Sequence, residues 1–123
     1  MSTFKEAAAG GVDLRKLATC VSLDADGIWR TDCSAPVSYP ADVNASCLAV
    51  EENSFWFCYR NRCIATAVAT AFPVGEGVFL DVGAGNGYVA CGLMRAGYEV
   101  RAVEPSPAGA SNVNARVVSG AGA

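Results

Sequence analysis

The sequence predicts an α/β fold with parallel strands, and three observations carry that expectation. Val78-Phe-Leu-Asp-Val82 is a short apolar run of the kind that forms strands buried on both faces. A glycine-rich stretch at 83–87, a helix-length segment and a second strand-like run ending at Val103 follow in order, which is a β-turn-α-β pattern. The 123 residues are 52% hydrophobic and only 17% charged, which excludes intrinsic disorder and suits one domain. A chain of this length buries roughly 65% of its unfolded surface.

Residues 1–52 are predicted as an irregular cap bearing a hairpin. Asp13 can cap a short helix with Leu14, Leu17 and Val21 at helical spacing. Val21-Ser-Leu, Asp24-Ala-Asp-Gly27 and Ile28-Trp-Arg30 read as strand, turn and strand, because Asp-Gly tolerates the positive φ of a tight turn. The acids before Gly27 do not make a calcium loop. Aligning Gly27 to the loop glycine puts Ser22 at the first ligand position and Cys33 where a bidentate Glu is needed. Pro36 and Pro40 around Tyr39 predict irregular chain.

Residues 53–75 are predicted as a helix preceding the core, capped by Asn53 or Ser54 and stopped by Pro73 and Gly75. Phe55, Tyr59, Cys63, Ala67 and Ala71 recur every four residues and read as the packed face, with Trp56, Arg60 and Ile64 beside them. The Phe55-Trp-Phe57 cluster reads as core, and Arg60 and Arg62 as a solvated border.

Residues 76–123 carry the βαβα pattern. A strand at 78–82 leads into the turn, a helix spans 88–96, and Gly97 stands where a C-terminal glycine cap belongs. A second strand covers 98–103. Ser106 or Ser111 starts a last helix through about Val118, and the tail from Ser119 reads as frayed.

Charge and cysteine usage narrow the function classes. The net charge of −3 argues against a nucleic-acid module, which shows a basic face. No uncharged run reaches the ~20 apolar residues that span a bilayer. The N-terminus has no basic region followed by an apolar run, so the expected location is cytoplasmic. Six cysteines with no C-x-x-C pair are predicted as buried reduced thiols, and no metal site is expected. With no histidine in the sequence, Ser-His and Cys-His catalysis are excluded within it.

The chemistry concentrates at Asp81-Val-Gly-Ala-Gly-Asn-Gly87. Glycines let the backbone turn sharply and let a ligand approach with no Cβ in the way. The helix behind them presents unpaired N–H groups. Glu104 closes the second strand, and an ionised carboxylate accepts the two hydrogen bonds that a ribose diol offers. A dinucleotide turn reads G-x-G-x-x-G, whereas here the third glycine falls one residue early and position 88 is Tyr, which counts against a nicotinamide-dependent oxidoreductase. Asn86 suits a positive-φ position.

With Asp81, Gly83, Gly85, Gly87 and Glu104 all in place, the segment 77–118 resembles the first motif of class I S-adenosylmethionine-dependent methyltransferases. The run from Glu52 through Phe55-Trp-Phe57 to Arg60-Asn61 is similar, less specifically, to an aromatic-arginine helix preceding that motif in small-molecule methyltransferases. The resemblance implies a Rossmann-like three-layer αβα fold and S-adenosyl-L-methionine as cofactor. Gly83, Ala84, Gly85, Asn86 and Gly87 would hold its methionine part, and Asp81 would accept from its ammonium. Glu104 would bind the ribose, Pro105 and Ser106 would flank the adenine, and Arg60 would cover the cofactor.

The same resemblance implies about seven strands, of which two can be placed. The chain therefore reads as the first half of a methyltransferase, truncated after its second strand, or as a chain whose sheet a partner or a second copy completes at an open edge. The expected acceptor is a small molecule, with no catalytic residue assigned. The alternatives are a non-catalytic βαβ fragment or interaction module and, further off, the oxidoreductase.

Overall fold

The computed structural model describes residues 14–16, 18–25, 27–31 and 40–120. The chain divides into two compact units, Met1–Pro36 and Val37–Ala123. Asp13, Leu17, Asp26, Cys33, Pro36 and Tyr39, on which the readings of the cap region and its turn partly rest, lie outside the described residues.

In the first unit a 3-10 turn, Leu14–Lys16, precedes an antiparallel hairpin of β1 (Val21–Leu23) and β2 (Trp29–Thr31). Asp24 organises the connection. Its Oδ1 accepts the Ile28 amide at 2.8 Å and its Oδ2 accepts Arg30 Nε at 2.6 Å, while Gly27 takes φ +80. The hairpin thus forms where expected, shifted by one residue in its second strand.

The second unit contains α1 (Ala41–Glu51), α2 (Phe55–Ala71), β3 (Val78–Val82), α3 (Tyr88–Arg95), β4 (Glu99–Val103) and α4 (Pro107–Gly120). Among the described residues the protein is thus a mixed α/β chain with four helices and two two-stranded sheets. β3 and β4 pair in parallel, Val78 opposite Glu99 through Val82 opposite Val103. Gly97, at φ +94, ends α3 as predicted: the Tyr98 amide bonds to Leu93 O and the Gly97 amide to Met94 O, the two bonds of a Schellman cap. Ser106 caps α4, its Oγ accepting the Gly109 amide at 3.3 Å, and Pro107 takes the first helical position. α4 runs to Gly120, into the tail expected to fray.

The core lies where α3 and α2 meet one face of the β3–β4 sheet. Ala90, Leu93, Tyr98 and Val100 are buried together, with Ala65, Val68, Phe79 and Ala102 packed against them. Phe79 meets Tyr98 edge-on at 5.2 Å and Phe72 at 5.6 Å, and Tyr98 donates its hydroxyl to Phe72 O at 2.8 Å. The aromatic ring system closes the end of the core near the α2–β3 connection.

Four expectations are corrected. Residues 41–51, placed in the irregular cap, form α1; the helix has no apolar stripe, so periodicity gave no signal. On α2 the row Phe55, Tyr59, Cys63, Ala67 and Ala71 is exposed, Phe55 at 81%, and Trp56 stands 63% exposed, so the aromatic cluster is not core. The inward row is Phe57, Cys58, Asn61, Ile64, Ala65 and Val68. Close approach selects it: a Cβ at Gly92 of α3 would fall 2.3 Å from Asn61 Nδ2. β3 is buried on one face only, because α2 and α3 lie on the same side; Val78, Leu80 and Val82 are 51%, 63% and 72% exposed. The third layer of the expected three is not among the described residues. Finally, of the described cysteines only Cys91 is buried, and Cys63 is exposed.

Burial separates two leucines of similar chemistry. Leu93, 5% exposed, sits in the core, and Leu80, 63% exposed, sits on the bare face. Leu93→Ala is expected to cost about 2–5 kcal/mol and Leu80→Ala less than about 1 kcal/mol, read from urea unfolding of the two variants.

Candidate functional site at the glycine turn

The turn is a continuation of strand pairing. Past the end of β3, the amides of Gly83 and Ala84 still bond to Val103 O, at 2.7 and 3.2 Å, and the Gly87 amide closes back on Ala84 O at 2.9 Å. Gly83, Gly85 and Gly87 all have positive φ, at +75, +58 and +74, so the chain folds here only because these positions lack a Cβ. The three differ in what surrounds them. A Cβ on Gly83 or Gly85 would meet nothing within 4 Å, whereas on Gly87 it would come 3.1 Å from Val113 of α4. Gly87 serves packing, and Gly83 and Gly85 present open backbone.

Glu104 fixes the turn from the other strand. Its Oε2 accepts the Gly85 amide at 2.7 Å and its Oε1 accepts the Ser106 amide at 2.8 Å. An ionised carboxylate offers about four acceptor sites, so two remain for a ligand. Room for that carboxylate depends on Gly109, where a Cβ would stand 2.7 Å from both Glu104 Cγ and Gly85 O. Sequence reasoning missed Gly109; the available signal is a glycine in the first turn of a predicted helix, where it weakens the helix unless close approach requires it.

Asp81 points from β3 toward α3, and its Oδ2 is buried with no hydrogen-bond partner. Burial raises its pKa; the Ala90 backbone and the Arg60 charge oppose that rise, and the Glu104 charge adds to it.

Asn86 is 3% exposed and its side chain is spent on the protein. Its Nδ2 donates to Asn44 O at 2.7 Å and to Glu51 Oε1 at 3.3 Å, and its Oδ1 accepts Asn112 Nδ2 at 2.9 Å. Ser106 is similarly engaged, accepting Asn44 Nδ2 at 2.8 Å besides capping α4. Pro105 is exposed beside it.

A cavity of about 270 Å³ opens between the turn, α1 and α2. Gly83, Ala84, Gly85 and Asn86 form its floor, Arg60 and Phe57 one wall, and Asn44 and Glu51 another. The Arg60 guanidinium lies 5.5 Å above the Phe57 ring. Tyr88 also borders the cavity. It contacts Cys58 Sγ through its hydroxyl at 3.3 Å and carries Arg116 over its ring at 5.1 Å. The hydrogen bond with Cys58, aided by burial, pushes its pKa up to about 12, so it remains a neutral phenol. Of the predicted residues, the structure brings Gly83, Ala84, Gly85, Asn86 and Arg60 to the cavity and sets Asp81, Gly87, Glu104, Pro105 and Ser106 behind or beside the turn. Sequence reasoning missed Asn44, Glu51 and Tyr88 as cavity residues, because α1 gave no pattern to place them.

A larger, shallower hollow of about 500 Å³ between α1 and α4 includes none of the turn residues. Among the described residues no group of three Cys, Asp or Glu could hold a metal ion, and no helix is long and apolar enough to cross a membrane. No protein-family model, curated protein or solved structure matches the chain.

The folded chain holds the Asp81 proton more tightly than the unfolded chain does. Stability from this group is therefore greatest at low pH, and falls as pH rises from the ordinary value of 3.8 to the higher folded value. Asp81→Asn removes that fall. The stability of the variant relative to the native chain is expected to grow with pH across this window and then level off, measured by urea unfolding at a series of pH values.

Proposed function

We propose that the glycine-turn cavity binds S-adenosyl-L-methionine and that the chain is the cofactor-binding part of a Rossmann-like methyltransferase acting on a small molecule. One observation carries this reading: the open backbone of Gly83 and Gly85 faces a cavity bordered by Arg60, with the Glu104 carboxylate held against the same turn. The cofactor supplies an activated methyl group on a sulfonium; the chain supplies position. Transfer of that kind gains chiefly from holding two reactants in line.

The donor set fits an amino-acid arm joined to a nucleoside. Arg60 borders the cavity and can pair with a carboxylate, while Asp81, set behind the turn with its Oδ2 buried and unpartnered, can act on an ammonium only through the turn or a water. The two free acceptor sites of Glu104 suit a ribose diol, and exposed Pro105 offers an apolar edge to a base. At about 270 Å³ the cavity is smaller than the ~300–1,000 Å³ typical of whole-ligand pockets, which suits it to the amino-acid arm with the nucleoside lying across the turn. Position 88 carries Tyr where a dinucleotide turn has the glycine that lets its helix pack closely on the strand, which favours this cofactor over a nicotinamide.

The bare face of β3 favours a second reading, a non-catalytic βαβ module that associates through Val78, Leu80 and Val82. The two are separated by titrating folded protein with S-adenosylhomocysteine in a calorimeter. Single-site heat is expected, with Arg60→Gln weakening binding about tenfold, the size of one lost charge-assisted hydrogen bond. Absence of heat at millimolar ligand rejects the cofactor reading and leaves the module.

A further inference from the structure

We infer that α1 is a lid over the glycine-turn cavity, hinged at residues 52–54 and latched by Glu51 to Arg116 of α4. The inference concerns the cavity wall and does not depend on which ligand the cavity takes. Its basis is the way α1 is attached. A helix that belongs permanently to a fold buries an apolar stripe. Among its described side chains α1 fully buries no apolar one: Asn44 and Glu51 are buried, Val43 and Cys47 are half-buried, and Leu48 and Val50 are 38% and 49% exposed. Yet Asn44, Cys47 and Glu51 form one wall of the cavity, so the helix of the unit with the weakest apolar stripe is the one that covers the site.

What holds α1 down is polar and is gathered on a few side chains. Glu51 Oε2 lies 2.8 Å from Arg116 Nη2, both side chains almost fully buried, and Glu51 Oε1 accepts from Asn86 of the turn. Asn44 reaches Ser106 at the start of α4 and receives Asn86 through its backbone oxygen. Asn112 and Arg116 stand one helical turn apart on α4, so both face α1 together. Each of these bonds can be exchanged for a bond to water, so opening costs far less than exposing an equal apolar surface. The pivot is also defined. The Asn53 and Ser54 amides return to Val50 O in the last turn of α1, and Cys58 Sγ of α2 donates to Glu52 O at 3.4 Å, so the short link is tied to both helices and is where α1 turns relative to α2.

A buried carboxylate stripped of its cation is strongly unfavourable. Removing Arg116 should therefore drive Glu51 into water by opening α1, leaving α3 and the sheet folded. Hydrogen exchange read by mass spectrometry on the ligand-free chain tests this. In the native protein the amides of α1 are expected to exchange about tenfold faster than those of α3, and Arg116→Gln should speed α1 about tenfold more without changing α3. Arg116 also lies over Tyr88, so Glu51→Gln is the second arm; it keeps an acceptor for Asn86 but loses the ion pair, and should speed α1 to an intermediate degree. Equal protection of α1 and α3 in the native chain overturns the lid. So does Arg116→Gln if it speeds neither helix or both equally, and so does a silent Glu51→Gln.

Discussion

The carboxylate of Glu104 joins three pieces of chain that would otherwise meet only through backbone. It stands at the end of β4, accepts the Gly85 amide of the turn after β3, and accepts the Ser106 amide that precedes α4. The Gly85 and Ser106 amides fall outside the strand and helix pairing, and leaving such an amide buried and unpaired costs about 1–3 kcal/mol. One side chain relieves two such amides at once and fixes the relative position of both strand ends. The consequences spread outward. Ser106, once placed, caps α4 and receives Asn44; α4, once started there, presents Val113 to Gly87 and Arg116 to Glu51. The close seat of Gly109 against Glu104 and Gly85 lets the three segments converge.

The sheet is constrained in a different way. Parallel strands ordinarily carry helices on both faces, since their side chains are apolar on both. Here α2 and α3 occupy one face, and on the other the strands divide: β3 shows Val78, Leu80 and Val82, while β4 shows Glu99 and Arg101 paired at 2.6 Å before Val103. That division assigns unequal roles to the two strands. A surface ion pair half exposed to water contributes little to stability, so the outer face of β4 is compatible with solvent. The outer face of β3 is not of that kind, and its apolar row departs from a solvated surface, as do exposed Phe55, Trp56 and Tyr59 on α2.

What the sequence disclosed follows from where the signal is local. The strand at 78–82, the turn at 83–87, the cap at Gly97 and the strand to Val103 are written in short runs whose neighbours in sequence are their neighbours in space. The hairpin around Asp24 is legible for the same reason. The inner face of α2 was not, because the helix has two apolar rows and the choice between them is made by Asn61 fitting over Gly92, a contact between distant segments. α1 was not legible at all. Its attachments run from Asn44 to Ser106, from Glu51 to Arg116 and from Asn86 to both, and polar pairs of this range leave no period to read. Half of the candidate site was therefore visible as a motif, and the half contributed by α1 and Tyr88 required the fold.

The buried pair of Glu51 and Arg116 deserves to be understood by what it excludes. Two apolar residues of similar volume would hold α1 to α4 at least as firmly, since desolvating both charges consumes most of their attraction. An apolar seam would also tolerate sliding and rotation. The ion pair does not: Glu51 must keep one oxygen on Arg116 and the other on Asn86, and Asn86 must keep Asn44 and Asn112 as well. These side chains share partners, so a shift of one residue along α1 would break several of the bonds at once and leave buried polar groups unpaired. The contact is thus narrow in position and low in net stabilisation, the opposite of the α2–α3 core. A cavity wall built this way has one well-defined closed position beside Gly83 and Gly85, and it is attached by bonds that water can replace.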